Sequence, residues 1–155
     1  MTMLNLNPIF VANNILNRSF RDNDFITPMK LQKILYFLYR DYLKEAKVPL
    51  FAERFMAWAY GPVLGSVYDT FRKYTKNNIS KYGSYNGKMY IITEGTVGQF
   101  GYILDEIWKK CKPITAVQLS RLTHDAQGAW SRAYKNHKLF LNDEDIEKDN
   151  VEITK

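Results

Sequence analysis

The stretch that decides the fold is Thr27-Pro28-Met29-Lys30-Leu31-Gln32-Lys33-Ile34-Leu35-Tyr36-Phe37-Leu38-Tyr39-Arg40-Asp41-Tyr42-Leu43. Threonine before proline is typical of a helix start, because the hydroxyl caps a free backbone N–H and proline fits the first turn. Apolar residues then recur with the spacing of one helix face: Leu31, Ile34, Leu35, Leu38 and Tyr42. So wide an apolar face predicts a central helix over 28–46, covered by neighbours on more than one side.

Similar signals predict further helices around the central one. Asn7-Pro8 predicts a helix to about Phe20, and Gly61-Pro62 predicts a third long helix that begins within two residues of Pro62. Apolar spacing predicts the remaining helices, which cover 51–59 briefly, then 96–111, 115–125 and 128–134, with a short last one from Asn142.

One β-hairpin is predicted at about 79–93. Asn86-Gly87 is the preferred pair for a type I′ turn, because both positions need positive φ. The following residues 89–93 favour a strand. We therefore expect a mainly α, compact multi-helix single domain with one small hairpin, made of a domain over 1–141 and an acidic C-terminal tail over 142–155.

Charge is distributed unevenly along the chain. The net charge is +6, yet six of the 16 acidic residues lie in the segment 142–155, beside two lysines. Residues 1–141 therefore hold 20 basic and 10 acidic groups, a net charge of +10. So basic a body favours acidic partners, protein or nucleic acid, although a merely well-solvated surface has the same composition.

The central helix offers a candidate basic face for a partner. Lys33, Arg40 and Lys44 gather opposite its apolar stripe. Exposed charges of this kind steer association and are screened by salt. We therefore expect these three side chains to be exposed together.

Cysteine usage and hydropathy indicate a cytoplasmic protein. Cys111 is the only cysteine, so no disulfide can form within the chain, and its place on an apolar helix stripe predicts a buried thiol. No apolar run approaches the roughly 20 residues that cross a bilayer. The N-terminus lacks the charged start of a signal peptide, and Asn13-Asn14 interrupts its apolar stretch. We expect no membrane contact.

The sequence predicts no catalytic centre, no cofactor and no metal site. Two histidines and one cysteine without short spacing do not form the usual zinc sites. Ser120, His124 and Asp125 lie close together on one predicted helix, an arrangement that lacks the orienting relay of a catalytic triad. The glycines between 95 and 101 do not follow the order of a phosphate-binding loop. We therefore expect a protein that acts by binding and is not an enzyme.

His124 and Trp130 have two interpretations. His124 could be a pH-sensitive contact or part of a recognition pocket. Alternatively it bonds a buried polar group or caps a carbonyl near the helix end, with Trp130 packed over it. The position near the end of a helix favours the structural role.

DNA binding is the second functional hypothesis. Helices 96–111 and 115–125, with the turn between them, are weakly similar to a helix-turn-helix, and the hairpin could serve as a wing. The candidate recognition helix offers few side chains that read bases: Gln118, Ser120, Arg121 and Thr123. An ordinary outer surface explains the same residues, so nucleic acid stays an alternative partner.

Three segments together resemble a known family. They are Met29-Lys30-Leu31-Gln32-Lys33-Ile34-Leu35-Tyr36-Phe37, then Ala57-Trp58-Ala59-Tyr60-Gly61-Pro62-Val63 with Val67, Tyr68 and Phe71, then Leu119-Ser120-Arg121-Leu122-Thr123-His124 with Trp130 and Ala133. Their order and spacing, within a match from residue 8 to about 141, are similar to the SocA-like antitoxin family. Its domain is also called the Panacea domain and occurs in phage-associated GepA proteins.

The resemblance implies a bacterial or phage protein of the type II toxin–antitoxin kind, which neutralises a toxin encoded beside it by direct binding. Toxins paired with this domain are diverse, so the family does not name the toxin. One relative is an adaptor that delivers its toxin to the ClpXP protease, and no residue here bears on that mode. Members also lie in prophages without an evident toxin, which leaves a phage accessory role open.

The family segments are expected first to build the scaffold. Gly61-Pro62 would set a helix start, and Trp58 and Trp130 would fill the core. Less regular surface would then contact the partner.

Truncation of one leucine tests the predicted core. Leu35→Ala is expected to lower the free energy of unfolding by ~2–5 kcal/mol, because it removes buried methyl groups and leaves a cavity. Denaturant melts measure the change, and an unchanged midpoint would mean that this helix is not central.

Overall fold

Helix α2 (Pro28–Ala46) is the central element of the fold. The computed structural model describes residues 5–155, and within that range α1 (Pro8–Arg21) precedes it. The elements that follow are β1 (Met56–Trp58), β2 (Gly61–Val63), α3 (Gly65–Phe71), α4 (Phe100–Cys111), α5 (Ala116–Thr123), α6 (Ala129–Lys135) and α7 (Asp143–Lys148). Short 3₁₀ turns occupy Arg72–Tyr74 and Glu94–Thr96. The prediction of a mainly α fold with one small hairpin is confirmed.

Side-chain caps start the helices where the sequence predicts. Asn7 accepts a hydrogen bond from the Ile9 N–H at 2.9 Å, and Thr27 accepts one from the Lys30 N–H at 3.3 Å. Thr115 and Gln118 form a reciprocal capping box at the start of α5. Each cap satisfies backbone donors that the first helical turn leaves free, so the chain changes direction at defined residues.

Helix α2 is buried on almost all sides. It packs against α1, α3, α4, α5, α7 and β2. Its side chains from Lys30 to Arg40 are all buried, whether apolar or polar. The prediction of a central helix is therefore confirmed, and Leu35 has no exposed surface.

The two-stranded hairpin lies elsewhere than predicted. Strand β1 pairs antiparallel with β2, with Trp58 opposite Gly61 and Met56 opposite Val63. The brief helix predicted over 51–59 is therefore wrong, and so is the helix start near Pro62, which lies within β2. Pro62 tolerates a strand here because the sheet has only two strands, so its missing N–H breaks no interior ladder. Helix α3 begins three residues later, at Gly65.

The segment 79–93 contains the predicted turn without the predicted strands. Asn86 and Gly87 have φ of 51° and 77°, and Tyr85 and Lys88 exchange backbone hydrogen bonds of 2.9 and 3.0 Å. Beyond that one bridge the backbone turns to helix α1 instead.

Two buried asparagines of α1 replace the missing strand pairing. The Asn13 amide bonds the carbonyl and N–H of Gly83 at 2.9 and 2.7 Å. The Asn14 amide bonds the carbonyl and N–H of Ile92 at 2.9 and 2.8 Å. Because these amides mimic a neighbouring strand, each side of the turn has a partner without a second β-strand.

The segment 142–155 is packed against the body of the protein. Helix α7 lies on α2, and Ile146 and Ile153 belong to the core. Asp149 is only 2% exposed and accepts a hydrogen bond of 2.6 Å from the Tyr36 hydroxyl. Burial, with the nearby Asp149 carboxylate next, raises the pKa of Tyr36 well above its usual value.

The prediction that the basic side chains of α2 form an exposed surface is wrong. Lys33 is 1% exposed and Arg40 is 6% exposed. Arg40 donates to the Val151 carbonyl at 2.7 Å, and Lys44 donates to the Glu147 carbonyl at 2.6 Å. Basic side chains of α2 therefore contact the acidic C-terminal segment within the protein, so part of the positive charge of the body is compensated internally.

No helix among residues 5–155 is long and apolar enough to cross a membrane.

Loss of the Asp149 carboxylate tests the attachment of this segment. Asp149→Ala is expected to lower the free energy of unfolding by about 3 kcal/mol, because Tyr36 loses its acceptor and Arg40 loses a nearby counter-charge. Urea melts measure the change, and exposed Glu152→Ala in the same segment serves as the control. Equal stability of the two variants would show that the segment is not held through Asp149.

Candidate partner-binding pocket

The first two family segments meet at one apolar pocket of about 360 Å³. Helix α2, the β1–β2 hairpin and helix α3 form its walls. Its apolar lining includes Leu31, Trp58, Val63, Val67, Tyr68 and Phe71. A cavity of this size in an apolar wall is typical of a binding site for a ligand group.

Gln32 fixes the hairpin to the central helix. Its amide nitrogen donates to the Leu64 carbonyl at 3.1 Å, and its amide oxygen accepts from the Leu64 N–H at 2.9 Å. Both groups of a buried amide and both groups of one backbone residue are thereby satisfied. The bidentate contact holds the end of β2 at the wall of the pocket.

Gly61 lets the hairpin approach the central helix closely. Its φ is +116°, a conformation that residues with a side chain rarely adopt. An added Cβ would lie 2.8 Å from the Thr123 hydroxyl oxygen and 3.0 Å from Lys33 Cε. The glycine therefore brings residues of all three family segments together.

Lys33 is a buried cation at the wall of the pocket. Its ammonium donates to the Pro62 carbonyl at 3.2 Å. No acidic side chain among residues 5–155 forms an ion pair with it. Burial lowers the pKa of Lys33 from its ordinary value of 10.5 to about 8.

The third family segment supports the hairpin from behind. The Ser120 hydroxyl donates to the Tyr60 carbonyl at 2.6 Å, and the Trp130 indole N–H donates to the Trp58 carbonyl at 2.7 Å. The Thr123 hydroxyl donates to the Ser120 carbonyl within α5. Because the supporting groups hold backbone carbonyls, the side chains of Trp58 and Tyr60 are free to line the pocket.

His124 lies in a stack of aromatic rings. Its ring lies 3.9 Å from that of Trp130 at an interplanar angle of 12°, and Trp130 stacks on Tyr134 at 4.6 Å. Burial first, and the Lys33 charge second, lower the pKa of His124. The prediction that Trp130 packs over His124 is confirmed, but the buried Nε2 of His124 bonds no other group in the described part of the chain.

The structure divides the predicted family-motif residues into two groups. The residues that line the pocket are Leu31, Gln32, Lys33, Trp58, Val63 and Tyr68. The residues that support it from behind are Gly61, Pro62, Thr123, His124 and Trp130. Trp130 is buried as a core residue, but Trp58 is only half-buried and packs edge-on against Tyr68, with ring centres 4.8 Å apart.

Sequence reasoning missed Tyr60 and Arg72 as residues of the pocket. Tyr60 is 71% exposed at the turn of the hairpin, and Arg72 is exposed after α3. The available signal for Tyr60 was an aromatic residue directly before Gly61-Pro62 in the second family segment. No sequence pattern indicated that Arg72 lies at the pocket, because its position depends on how α3 packs.

The groups considered for catalysis do not assemble. The Ser120 hydroxyl is bonded to the Tyr60 carbonyl and not to His124. Burial raises the pKa of the Cys111 thiol to about 12, which keeps it protonated. Residues 5–155 contain no group of three or more His, Cys, Asp or Glu side chains placed to hold a metal ion.

The candidate base-reading side chains of α5 are mostly engaged within the protein. Ser120 and Thr123 are buried and hydrogen-bonded, and Gln118 takes part in the capping box. Arg121 remains exposed. The wing predicted for this arrangement also lacks its strands.

The family model described as "Antitoxin SocA-like, Panacea domain" matches residues 31–131, which include the pocket and the helices behind it. The chain belongs to this SocA-like family. Antitoxin SocA of Caulobacter vibrioides (strain NA1000 / CB15N) is 28% identical over 124 residues. The match covers 77% of this chain and 66% of that relative, slightly less than two thirds of its length.

No solved structure matches the chain.

The buried charge of Lys33 gives a stability test with a defined pH window. Below pH 8 the folded and unfolded chains both hold the proton, so the cost of burying the charge, about 3 kcal/mol, is present in full. This cost disappears as the pH rises from about 8 to 10.5, because the folded chain releases the proton first. Lys33→Met should therefore raise the free energy of unfolding by up to ~3 kcal/mol at pH 7, and by much less near pH 10.5.

Urea melts across this range measure the difference. Lys135→Met, at an exposed site of α6, is the control and is expected to stay within ~0.5 kcal/mol of the parent. A Lys33→Met variant that is less stable than the parent at pH 7 would contradict this account.

Proposed function

We propose that this protein neutralises a toxin protein by binding it directly, and that the pocket and its rim form part of the contact. Membership of the SocA-like family is the observation that carries the proposal. The Caulobacter relative is itself named an antitoxin. Masking of a toxin needs a surface rather than a catalytic group, and the pocket supplies such a surface.

The rim of the pocket has the composition of a protein interface. Tyr60, Tyr68 and Met29 are large apolar side chains that remain exposed around it. Aromatic residues, methionine and arginine are enriched at the centres of interfaces, and a few such residues supply most of the binding free energy. Arg72 adds a charged group at the same rim.

The internal use of Arg40 and Lys44 changes the expected salt dependence. Because these cations hold the C-terminal segment, they are not free to steer an acidic partner. Association is then expected to depend mainly on apolar anchors and only weakly on salt. Screening acts chiefly on exposed charges that lie about 10 Å or more apart.

Co-expression with the adjacent gene product tests the proposed function. The protein is expected to restore growth to cells that express that toxin, and the two proteins should co-purify. Tyr60→Ala should weaken the complex at least tenfold, because it removes an exposed aromatic anchor and leaves the backbone carbonyl that Ser120 binds.

The matched control is Tyr102→Ala, which removes a tyrosine of α4 that is 68% exposed and does not line the pocket. Melts of both variants must match the parent. A harmless neighbour, or a toxin that never associates, would refute the antitoxin role. Tight, steeply salt-dependent binding to duplex DNA instead would favour the regulator hypothesis.

The mode of neutralisation is a separate question with its own measurement. If the protein masks the toxin, growth rescue persists in a host without the ClpXP protease. If it delivers the toxin for degradation, rescue is lost in that host and the toxin accumulates.

A further inference from the structure

The pocket contains a cation for which the fold provides no anion. The Lys33 ammonium has three N–H donors, and one of them reaches the Pro62 carbonyl. The two buried arginines of the described chain are instead paired with carboxylates, whereas the buried Lys30, outside the pocket, donates to the Lys112 carbonyl. Arg18 contacts Glu94 and Asp105, and Arg40 contacts Asp41 and Asp149.

The other residues around the pocket do not supply an anion for Lys33 either. Of residues 5–155, no aspartate or glutamate lines the pocket, whereas Lys33 and Arg72 both do. Arg72 also forms no ion pair within that range. The pocket is therefore apolar in surface and positive in charge, which is complementary to an apolar ligand group that carries a negative charge.

We propose that this pocket binds a carboxylate of the partner protein together with a large apolar side chain beside it. The carboxylate would accept hydrogen bonds from the Lys33 ammonium, and the apolar group would pack against Val63, Val67 and Phe71. The inference rests on the proposed function, since it names the chemistry by which that partner is held.

A carboxylate fits this pocket better than a phosphate. Its single charge matches the single buried ammonium, while the apolar walls offer few donors for the additional oxygens of a phosphate. A neutral apolar group would leave the ammonium without an anion and would gain only the burial of its own surface. Charge-assisted hydrogen bonds in a desolvated site are stronger than neutral ones, so the carboxylate should improve affinity about 10- to 100-fold.

Two small probes separate the carboxylate from the apolar group. N-acetyl-L-leucine carries both, and N-acetyl-L-leucinamide carries the same side chain without the charge. Each is titrated to about 20 mM into the ¹⁵N-labelled full-length protein at pH 7, and shifts of the pocket resonances are followed by NMR. The acid should give saturable shifts at residues of the pocket, and the amide should bind at least tenfold more weakly.

The matched pair of variants is Lys33→Met and Lys30→Met. Lys30 lies on the same helix, is also buried and also donates to a backbone carbonyl, that of Lys112, but it does not line the pocket. Lys33→Met should abolish the preference for the acid, while Lys30→Met should retain it. Equal binding of acid and amide, an unchanged preference in Lys33→Met, or no saturable shift would each overturn the inference.

The growth assay separates this inference from the proposed function. If the parent rescues growth and Lys33→Met fails while remaining folded and at least as stable, the partner uses the buried cation. If Lys33→Met rescues as well as Lys30→Met, the inference fails and the antitoxin role stands. If the parent itself does not rescue, the antitoxin role fails, and the probe titrations still decide the chemistry of the pocket.

Discussion

A helix that is buried on almost all sides must find a partner for each buried polar side chain that it carries, and the rest of this structure follows from that constraint on α2. Buried polar groups without partners are costly, so they are nearly always hydrogen-bonded. Helix α2 finds most of its partners in segments without regular structure. Gln32 holds the end of the hairpin, Tyr36 holds Asp149, and Arg40 holds the backbone at Val151. The core helix thereby also positions the hairpin and the C-terminal segment.

Among the buried polar side chains of α2, Lys33 is the one whose hydrogen-bonding and charge requirements the fold meets least. Its one hydrogen bond to a carbonyl leaves a buried charge without an anion, in a pocket that two family segments line and a third supports. Stability and binding are therefore opposed at this position. The charge costs stability in the free protein and would be compensated when an anion is bound.

The sequence predicted the helices better than the hairpin, and the reason is physical. Helix starts at Asn7, Thr27 and Thr115 depend on local caps, which neighbouring residues reveal. Strand pairing depends on distant partners, and the strong strand preference around 89–93 was overridden by the amides of Asn13 and Asn14. The resemblance identified many pocket residues, but apolar periodicity predicted Lys33 as exposed. Only the packing of the hairpin onto α2 buries it.

The way in which α1 holds the segment 83–92 has a consequence for mutational tolerance. Asn13 and Asn14 bind its backbone groups at Gly83, Tyr90 and Ile92, so helix α1 fixes the path of the segment at these points. Ser84, Lys88 and Met89 point outward and are exposed. Substitutions at these positions change the chemistry of the surface while the backbone path is retained. The segment thus contains exposed positions that are free to diverge without a matching change in the core.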